Sequence, residues 1–211
     1  MAYDLDEQEK LDAMKAWWGR YGSLVLTAVL VVAACLAGWR GWQWYQSHRA
    51  GQAMGYFEAL EDAAGQTGDD AVARVKAASA TLRDDYAGTP YAARGALVAA
   101  HALQAQGDLA GAREQLEWVA RGKDAALAPL ARLRLAGVLL DQKQYDAALA
   151  QLEDPPPAFV ALYADRRGDI LAAQGKRDEA RAAWQRAIDT LGTGHALTPV
   201  VQLKLDALSG A

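Results

Sequence analysis

The feature that most constrains this chain is an uncharged apolar segment near its N-terminus. Nineteen residues separate Arg20 from Arg40; none is charged, and most are leucine, valine or alanine. At about 1.5 Å of rise per residue, a helix of this length covers the ~30 Å hydrocarbon core of a bilayer. Aromatic residues flank both ends, as expected of rings that favour the two water–lipid interfaces. We therefore predict a transmembrane helix over residues 21–42. The predicted interface residues are Trp17, Trp18, Tyr21, Trp39, Trp42 and Trp44.

The alternatives to a retained span are a buried core helix, a cleaved signal and a lipoprotein anchor. A buried helix accounts less well for the length and the aromatic flanks. A cleaved signal has a basic leader and a small-residue cleavage site, whereas this leader is acidic and Trp39 and Trp42 follow the apolar segment. The sequence Val32-Ala33-Ala34-Cys35 resembles the box before a lipidated cysteine, but Cys35 lies inside the segment without a polar tether. We expect a retained span with an inert thiol.

Lysine and arginine counts near the span indicate its orientation. The N-terminal side carries three such residues and the terminal amine, and the C-terminal side carries Arg40 and Arg49. This small bias favours a cytoplasmic N-terminus, so residues 1–20 would be a cytoplasmic segment and the larger C-terminal part would face the other compartment. No cysteine follows the span, so this part has no disulfide.

The composition after the span is typical of helices. Roughly 165 residues remain, enough for one globular or solenoid domain. They are rich in alanine, leucine, glutamine and arginine and poor in valine and isoleucine. The net charge of the whole chain is −4, and no basic cluster resembles a nucleic-acid-binding surface, so no nucleic-acid partner is expected. The predicted fold class is all-α, with a single N-terminal transmembrane helix.

Residues 43–89 are predicted to form a juxtamembrane helical hairpin. No proline occurs between Gly19 and Thr89, so the spanning helix can continue, and apolar residues recur at helical spacing from Ala50 to Ala64. The first helix is expected to end at the sequence GQTGD of residues 65–69. A second helix with Val72, Val75, Ser79, Leu82 and Tyr86 on one face would pack on it.

Residues 90–211 repeat themselves. Four columns of residues recur at spacings of 36 and 32, a mean of 34, which is the length of the tetratricopeptide unit, a helix–turn–helix module. Small residues of the two helices would allow close approach, and a large residue would fill the space between hairpins. The predicted packing residues are Ala100, Ala136 and Gly168, then Ala112, Ala148 and Ala180, then Leu116, Leu152 and Trp184.

Two further expectations concern the ends of these units. Asp154 and the prolines 155–157 would end the second helix of the middle unit. After Thr198-Pro199 a last helix with Val200, Leu203, Leu205 and Leu208 would cap the stack, as terminal elements of solenoids do. The alternative to tetratricopeptide packing is an ordinary alanine-rich bundle with accidental phasing.

The sequence contains no recognisable catalytic motif. The three histidines, at positions 48, 101 and 195, form no helical metal-binding pair, and no phosphate-binding loop or nucleophile motif occurs. The charged cluster Arg166-Arg167-Gly168-Asp169 is more simply explained as a helix edge. We therefore expect a non-enzymatic protein with no catalytic, cofactor or metal site.

A stack of helical hairpins instead predicts a binding surface. The first helices of the units would line a concave groove suited to extended peptides or partner helices. The phase of the repeat places these residues in the groove: Arg94, Leu97, His101, Gln104, Leu133, Leu140, Leu162, Asp165 and Asp169.

The whole chain resembles the bacterial ancillary SecYEG translocon subunit family (YfgM). The similar segments are WWGRYG at 17–22, GWRGW at 38–42, LRLA at 133–136, RGDIL at 167–171, Gly175 with ARAAW at 180–184, and VQLKLDAL at 201–208. The triple proline at 155–157 departs from the family pattern.

The resemblance implies a single-pass protein of the bacterial inner membrane with a cytoplasmic N-terminus and a periplasmic tetratricopeptide-like domain. The implied partners are the lipid bilayer, the SecYEG translocon, the membrane-anchored periplasmic chaperone PpiD, and unfolded or newly translocated proteins passed to periplasmic folding factors. The alternatives are a cell-envelope scaffold or assembly factor on another membrane machine, and a lipoprotein anchored through Cys35.

Overall fold

The chain is all-α. The computed structural model describes residues 2–192 and 194–209, with side chains for 9–192 and 194–208. Nine α-helices and one short 3₁₀ turn, Pro157–Phe159, form the secondary structure of this described part. The helices are α1 Ala2–Ala64, α2 Asp69–Asp85, α3 Pro90–Ala105, α4 Leu109–Ala120, α5 Leu127–Asp141, α6 Tyr145–Ala150, α7 Val160–Ala173, α8 Arg177–Leu191 and α9 Thr198–Ser209. The chain divides into two compact units, Met1–Arg49 and Ala50–Ala211.

The first unit contains the apolar part of α1. By length and composition, α1 is the one helix of the described chain that is long and apolar enough to cross a membrane. Leu24, Leu26 and Val32 point in different directions around the helix, yet each is at least 57% exposed. A helix that is apolar on all sides and unburied is typical of a membrane span and unlike the core helix of a soluble protein. The six aromatic residues predicted at the membrane interface are exposed, and Cys35 is exposed within the same helix.

The second unit begins with a helical hairpin made by the end of α1 and by α2. Ala53 and Leu60 of α1 are buried in one cluster with Val75 and Leu82 of α2. Met54, one of the apolar residues between Ala50 and Ala64 that were predicted to share this stripe, is 46% exposed and lies outside the core. The connection between the helices contains Gly68 with a φ of 102°, a conformation that favours glycine.

Three further hairpins follow, α3–α4, α5–α6 and α7–α8, and they coincide with the three predicted repeat units. Their turns contain Gly107, Lys143 and Gly175, all with positive φ, as expected where a helix ends in a left-handed residue. All nine residues of the predicted packing columns are buried. Gly168 has no room for a side chain, since a Cβ there would lie 2.4 Å from Cδ1 of Trp184.

The middle hairpin is shorter than predicted. Helix α6 ends at Ala150, before Asp154 and the prolines that were expected to end it. The chain continues in 3₁₀ geometry, with N–H groups of Gln151 and Leu152 donating to the carbonyls of Ala148 and Leu149. Leu152 is therefore outside the helix, yet it is only 1% exposed.

The last helix packs on α8 with a face that agrees only in part with the predicted one. Leu205 and Leu208 pack inward as predicted, together with Val201, whereas Val200 and Leu203, also expected to pack inward, are 51% and 70% exposed. Apolar residues occur on two faces of α9, so their spacing alone did not identify the buried face. The face that packs inward is the one next to Lys204, whose ammonium contacts two carboxylates of α7.

Candidate functional site

The first helices of the three hairpins are neighbours, and we call their accessible side chains on α3, α5 and α7 the first-helix face. The amide Nε2 of Gln104 on α3 donates to Asp141 Oδ2 on α5 at 2.9 Å. The phenol of Tyr163 on α7 donates to the carbonyl of Pro129 on α5 at 2.8 Å, and burial raises the pKa of this phenol. These side-chain bonds fix the order α3, α5, α7 across the face.

The accessible part of the first-helix face combines cationic, polar and aliphatic groups. Arg94 and His101 are exposed on α3. Leu133 and Leu140 of α5 are half-buried and pack against the main core, and Leu162 of α7 is half-buried as well. Donors for backbone carbonyl groups therefore lie on the same face as partly accessible leucines.

Leu97 does not belong to this surface, although the repeat phase placed it there. It is 6% exposed and lies in the main core cluster. Helix α3 packs against α2, α4 and α5. A helix with neighbours on several sides buries more of its circumference than a repeat consensus assigns to the core.

Asp165 and Asp169 lie on α7 as predicted, but their carboxylates are bound within the chain. Lys204 Nζ of α9 is 2.7 Å from Oδ1 of each. The indole Nε1 of Trp184 donates to Asp169 Oδ1 and to the carbonyl of Asp165, both at 3.2 Å. Arg166 adds a longer ion pair with Asp169 at 3.8 Å. These two residues therefore hold α9 in place instead of offering free carboxylates.

Charged groups of the hairpins pair with one another and cap helices, and Asp108 does both. Asp108 is the N-cap of α4: its Oδ1 accepts from the N–H of Gly111 at 2.9 Å, and its Oδ2 is 2.6 Å from Lys76 Nζ. The hydrogen bond from Lys76, followed by that from Gly111, lowers the pKa of the Asp108 carboxyl. No group of three potential metal ligands occurs in the described part of the chain.

Sequence reasoning missed a cavity of about 780 Å³ at the edge of this face. It lies between the α2–α3 connection and the α4–α5 connection, and its lining includes Arg94, Trp118, Arg121 and Lys123. Only Arg94 was among the predicted site residues. Trp118 and Arg121 lie at the end of α4 and Lys123 lies in the α4–α5 connection, so their approach to Arg94 depends on how the two connections pack.

Comparison with known proteins agrees with the architecture. A family profile described as a tetratricopeptide repeat-like domain matches residues 15–210. Relatives named ancillary SecYEG translocon subunit include a Neisseria gonorrhoeae protein, 34% identical over 99% of this chain and 100% of the relative. An Escherichia coli protein of the same name is 28% identical over 97% of each chain, and one from Haemophilus influenzae is 28% identical over 89% of this chain and 91% of its own. No solved structure shows a significant match to the chain.

Proposed function

Because the chain belongs to the family of ancillary SecYEG translocon subunits, which carry a tetratricopeptide repeat-like domain, we propose that it is a membrane-anchored accessory subunit of that translocon. The exposed apolar segment of α1 supports a single membrane span in the inner membrane. The small excess of lysine and arginine before the span supports a cytoplasmic N-terminus and a periplasmic second unit.

The first-helix face is the proposed binding surface for newly translocated polypeptides. An unfolded chain presents unpaired backbone carbonyl groups together with apolar side chains. Arg94 and His101 can donate hydrogen bonds to the former, while Leu133, Leu140 and Leu162 can contact the latter. This combination of donors and leucines on neighbouring first helices is the observation on which the proposal rests.

Membrane anchoring keeps this binding surface near its clients. A domain held in the same membrane as the channel meets emerging segments at a high effective concentration, so even low affinity suffices for capture. Release follows when a partner with higher affinity competes. We propose that periplasmic chaperones, including the membrane-anchored PpiD, are these partners, and that the protein itself performs no chemistry on its clients.

Affinity purification tests the translocon assignment. The full-length tagged chain is purified from membranes in a mild detergent, and co-purifying proteins are quantified against an unrelated single-span protein with the same tag and expression level. We expect SecY, SecE and SecG to be enriched with this chain. Equal recovery with both proteins would contradict an ancillary subunit role.

A further inference from the structure

The cavity between the α2–α3 and α4–α5 connections combines an apolar wall with a positively charged edge. Trp118 and Leu127 contribute the apolar wall, and Arg94, Arg121 and Lys123 contribute cations. At about 780 Å³ it falls within the size range of cavities that accept small ligands or a few side chains.

Two of these cations are free to meet a ligand. Arg121 is paired with Glu117, since its Nη2 lies 3.3 Å from Glu117 Oε2 and its Nε donates to the Glu117 carbonyl at 3.1 Å. Among the described residues, neither Arg94 nor Lys123 forms a hydrogen bond or an ion pair within 4.0 Å through its side chain.

The one acidic residue in the lining does not cancel these charges. Asp124 Oδ1 accepts hydrogen bonds from the N–H groups of Ala126 and Leu127, each at 2.9 Å, so this oxygen is occupied in capping the start of α5. The bonds from Leu127 and then Ala126 lower the pKa of Asp124, with a smaller contribution from Arg94. If Glu117 is counted against Arg121 and Asp124 against a second cation, the cavity still retains a net positive charge.

Neighbouring cavities lack this excess. The one between α4, α5 and α6 is lined by three arginines and three acidic residues. The one beside α7 and α8 is lined by Arg167 and Arg186 but also by Glu153, Asp154 and Glu179. The whole chain is acidic, with a net charge of −4, so a local positive excess beside a tryptophan is a specific feature of this cavity.

We propose that this cavity binds a short acidic segment of a partner polypeptide, with an apolar side chain of the segment against Trp118 and Leu127 and carboxylates beside Arg94 and Lys123. A free anion would use the cations alone and leave the apolar wall uncovered. A phospholipid supplies the charge through its headgroup, but its acyl chains remain in the bilayer and leave the apolar wall uncovered, so an acidic peptide is the better complement. This site shares Arg94 with the first-helix face but goes beyond the proposed function, because it recognises acidic sequences and not unfolded segments in general.

Peptide binding to the full-length chain tests the proposal. The chain is placed in nanodiscs of zwitterionic lipid, and fluorescence anisotropy is measured with the labelled peptide DDFLDD and with the reference peptides NNFLNN and DDSSDD. We expect DDFLDD to bind roughly tenfold more tightly than either reference, because only it supplies both charge and apolar contact. The affinity should fall with rising salt.

Two double variants with the same change in net charge separate the cavity from general electrostatics. Arg94→Gln with Lys123→Gln should weaken DDFLDD binding about tenfold. Lys176→Gln with Arg181→Gln, which removes two exposed cations at the start of α8, should change it less than about twofold. All four residues are exposed, so both variants should keep the wild-type far-UV circular dichroism spectrum.

Several results would overturn the proposal. Equal affinity for DDFLDD and NNFLNN would exclude charge recognition, and equal affinity for DDFLDD and DDSSDD would exclude the apolar wall. Equal losses of DDFLDD affinity in the two double variants would show that binding depends only on the net charge of the protein. Binding to phosphatidylglycerol-rich vesicles that depends on Arg94 and Lys123, without peptide binding, would assign the cavity to a lipid headgroup.

Discussion

Replacing Gly168 by alanine is a sharp test of the packing between α7 and α8. The added Cβ would lie 2.4 Å from both Cδ1 and Nε1 of Trp184 and 2.8 Å from its Cε2. The indole would have to move by about 1 Å to reach ordinary van der Waals distance. Trp184 is 5% exposed, so it has little free space into which to move.

The expected free-energy change follows from three contributions. Overpacking a core of this kind costs about 1–3 kcal/mol. Displacing the indole weakens its hydrogen bonds to Asp165 and Asp169, at about 0.5–1.5 kcal/mol for a lost bond. Alanine offsets about 1 kcal/mol through its higher helix propensity. We expect Gly168→Ala to lower the free energy of unfolding by about 1–3 kcal/mol.

Gly137→Ala is the matched control in the preceding first helix. The nearest atom to a Cβ at Gly137 is Nη1 of Arg166 at 3.5 Å, an ordinary contact. Only the helix-propensity gain then remains, so this variant should be more stable than wild type by up to about 1 kcal/mol. Both variants carry the same glycine-to-alanine substitution. The opposite signs of the expected stability changes therefore depend only on the position of Trp184.

Urea unfolding of residues 50–211, followed by far-UV circular dichroism, measures both changes. Because each repeat interacts mainly with its neighbours, hydrogen exchange should accelerate in α7, α8 and α9 of Gly168→Ala and change little in α2 and α3. Changes of the same sign in both variants, or unaltered stability of Gly168→Ala, would refute the packing described here.

Three other predictions follow from the same structure. Ala180 is fully buried, so Ala180→Leu should cost about 1–3 kcal/mol, whereas Arg181→Leu at the exposed neighbour should stay within about 0.5 kcal/mol; equal melting temperatures would contradict this. The pKa of Asp108 is lowered in the folded chain, so its stabilisation is present above the ordinary value of 3.8 and is lost as pH falls through the lower folded value. Asp108→Asn should therefore lose up to about 1 kcal/mol at pH 7 and progressively less below pH 3.8 in acid titrations of unfolding; a deficit that stays constant into strong acid would exclude linkage to the Lys76 pair. A reporter active only in the periplasm and fused after Ala211 should be active on a full-length chain; inactivity, or a product starting at Cys35, would contradict the retained span.

The architecture was predictable because its determinants are local in sequence. Small residues at a helix spacing, a left-handed turn residue and a large residue four positions on define each hairpin without reference to the rest of the chain. Gly107 and Gly175 have the residue type that favours such a left-handed turn. Lys143 occupies the third turn with a φ of 58°, and its residue type gives no such signal.

The surface was less predictable because it depends on neighbours distant in sequence. Leu97 is buried because three other helices pack around α3. Asp165 and Asp169 are bound by Lys204, which is 39 and 35 residues away. In α9, both candidate faces are apolar, and which of them packs inward depends on contacts with α8.

The cationic cavity could not be predicted from the sequence, for a related reason. Arg94 lies near the start of α3, whereas Lys123 lies in the α4–α5 connection, so the two residues are distant in sequence. Their approach depends on how the α2–α3 and α4–α5 connections pack. A charge count along the chain therefore reports an acidic protein and misses a local positive excess.

The central claim is that the first-helix face contacts polypeptides as they leave the SecYEG channel. Site-specific photo-crosslinking in cells tests this most directly, with a photoreactive phenylalanine in place of exposed His101 on α3 or, as control, exposed Gln185 on α8. With a secretory polypeptide arrested in the channel, we expect an adduct from position 101, little from position 185, and loss of the adduct when arrest is prevented. Equal adducts from both positions, or none from position 101, would contradict the assignment of this face as the binding surface.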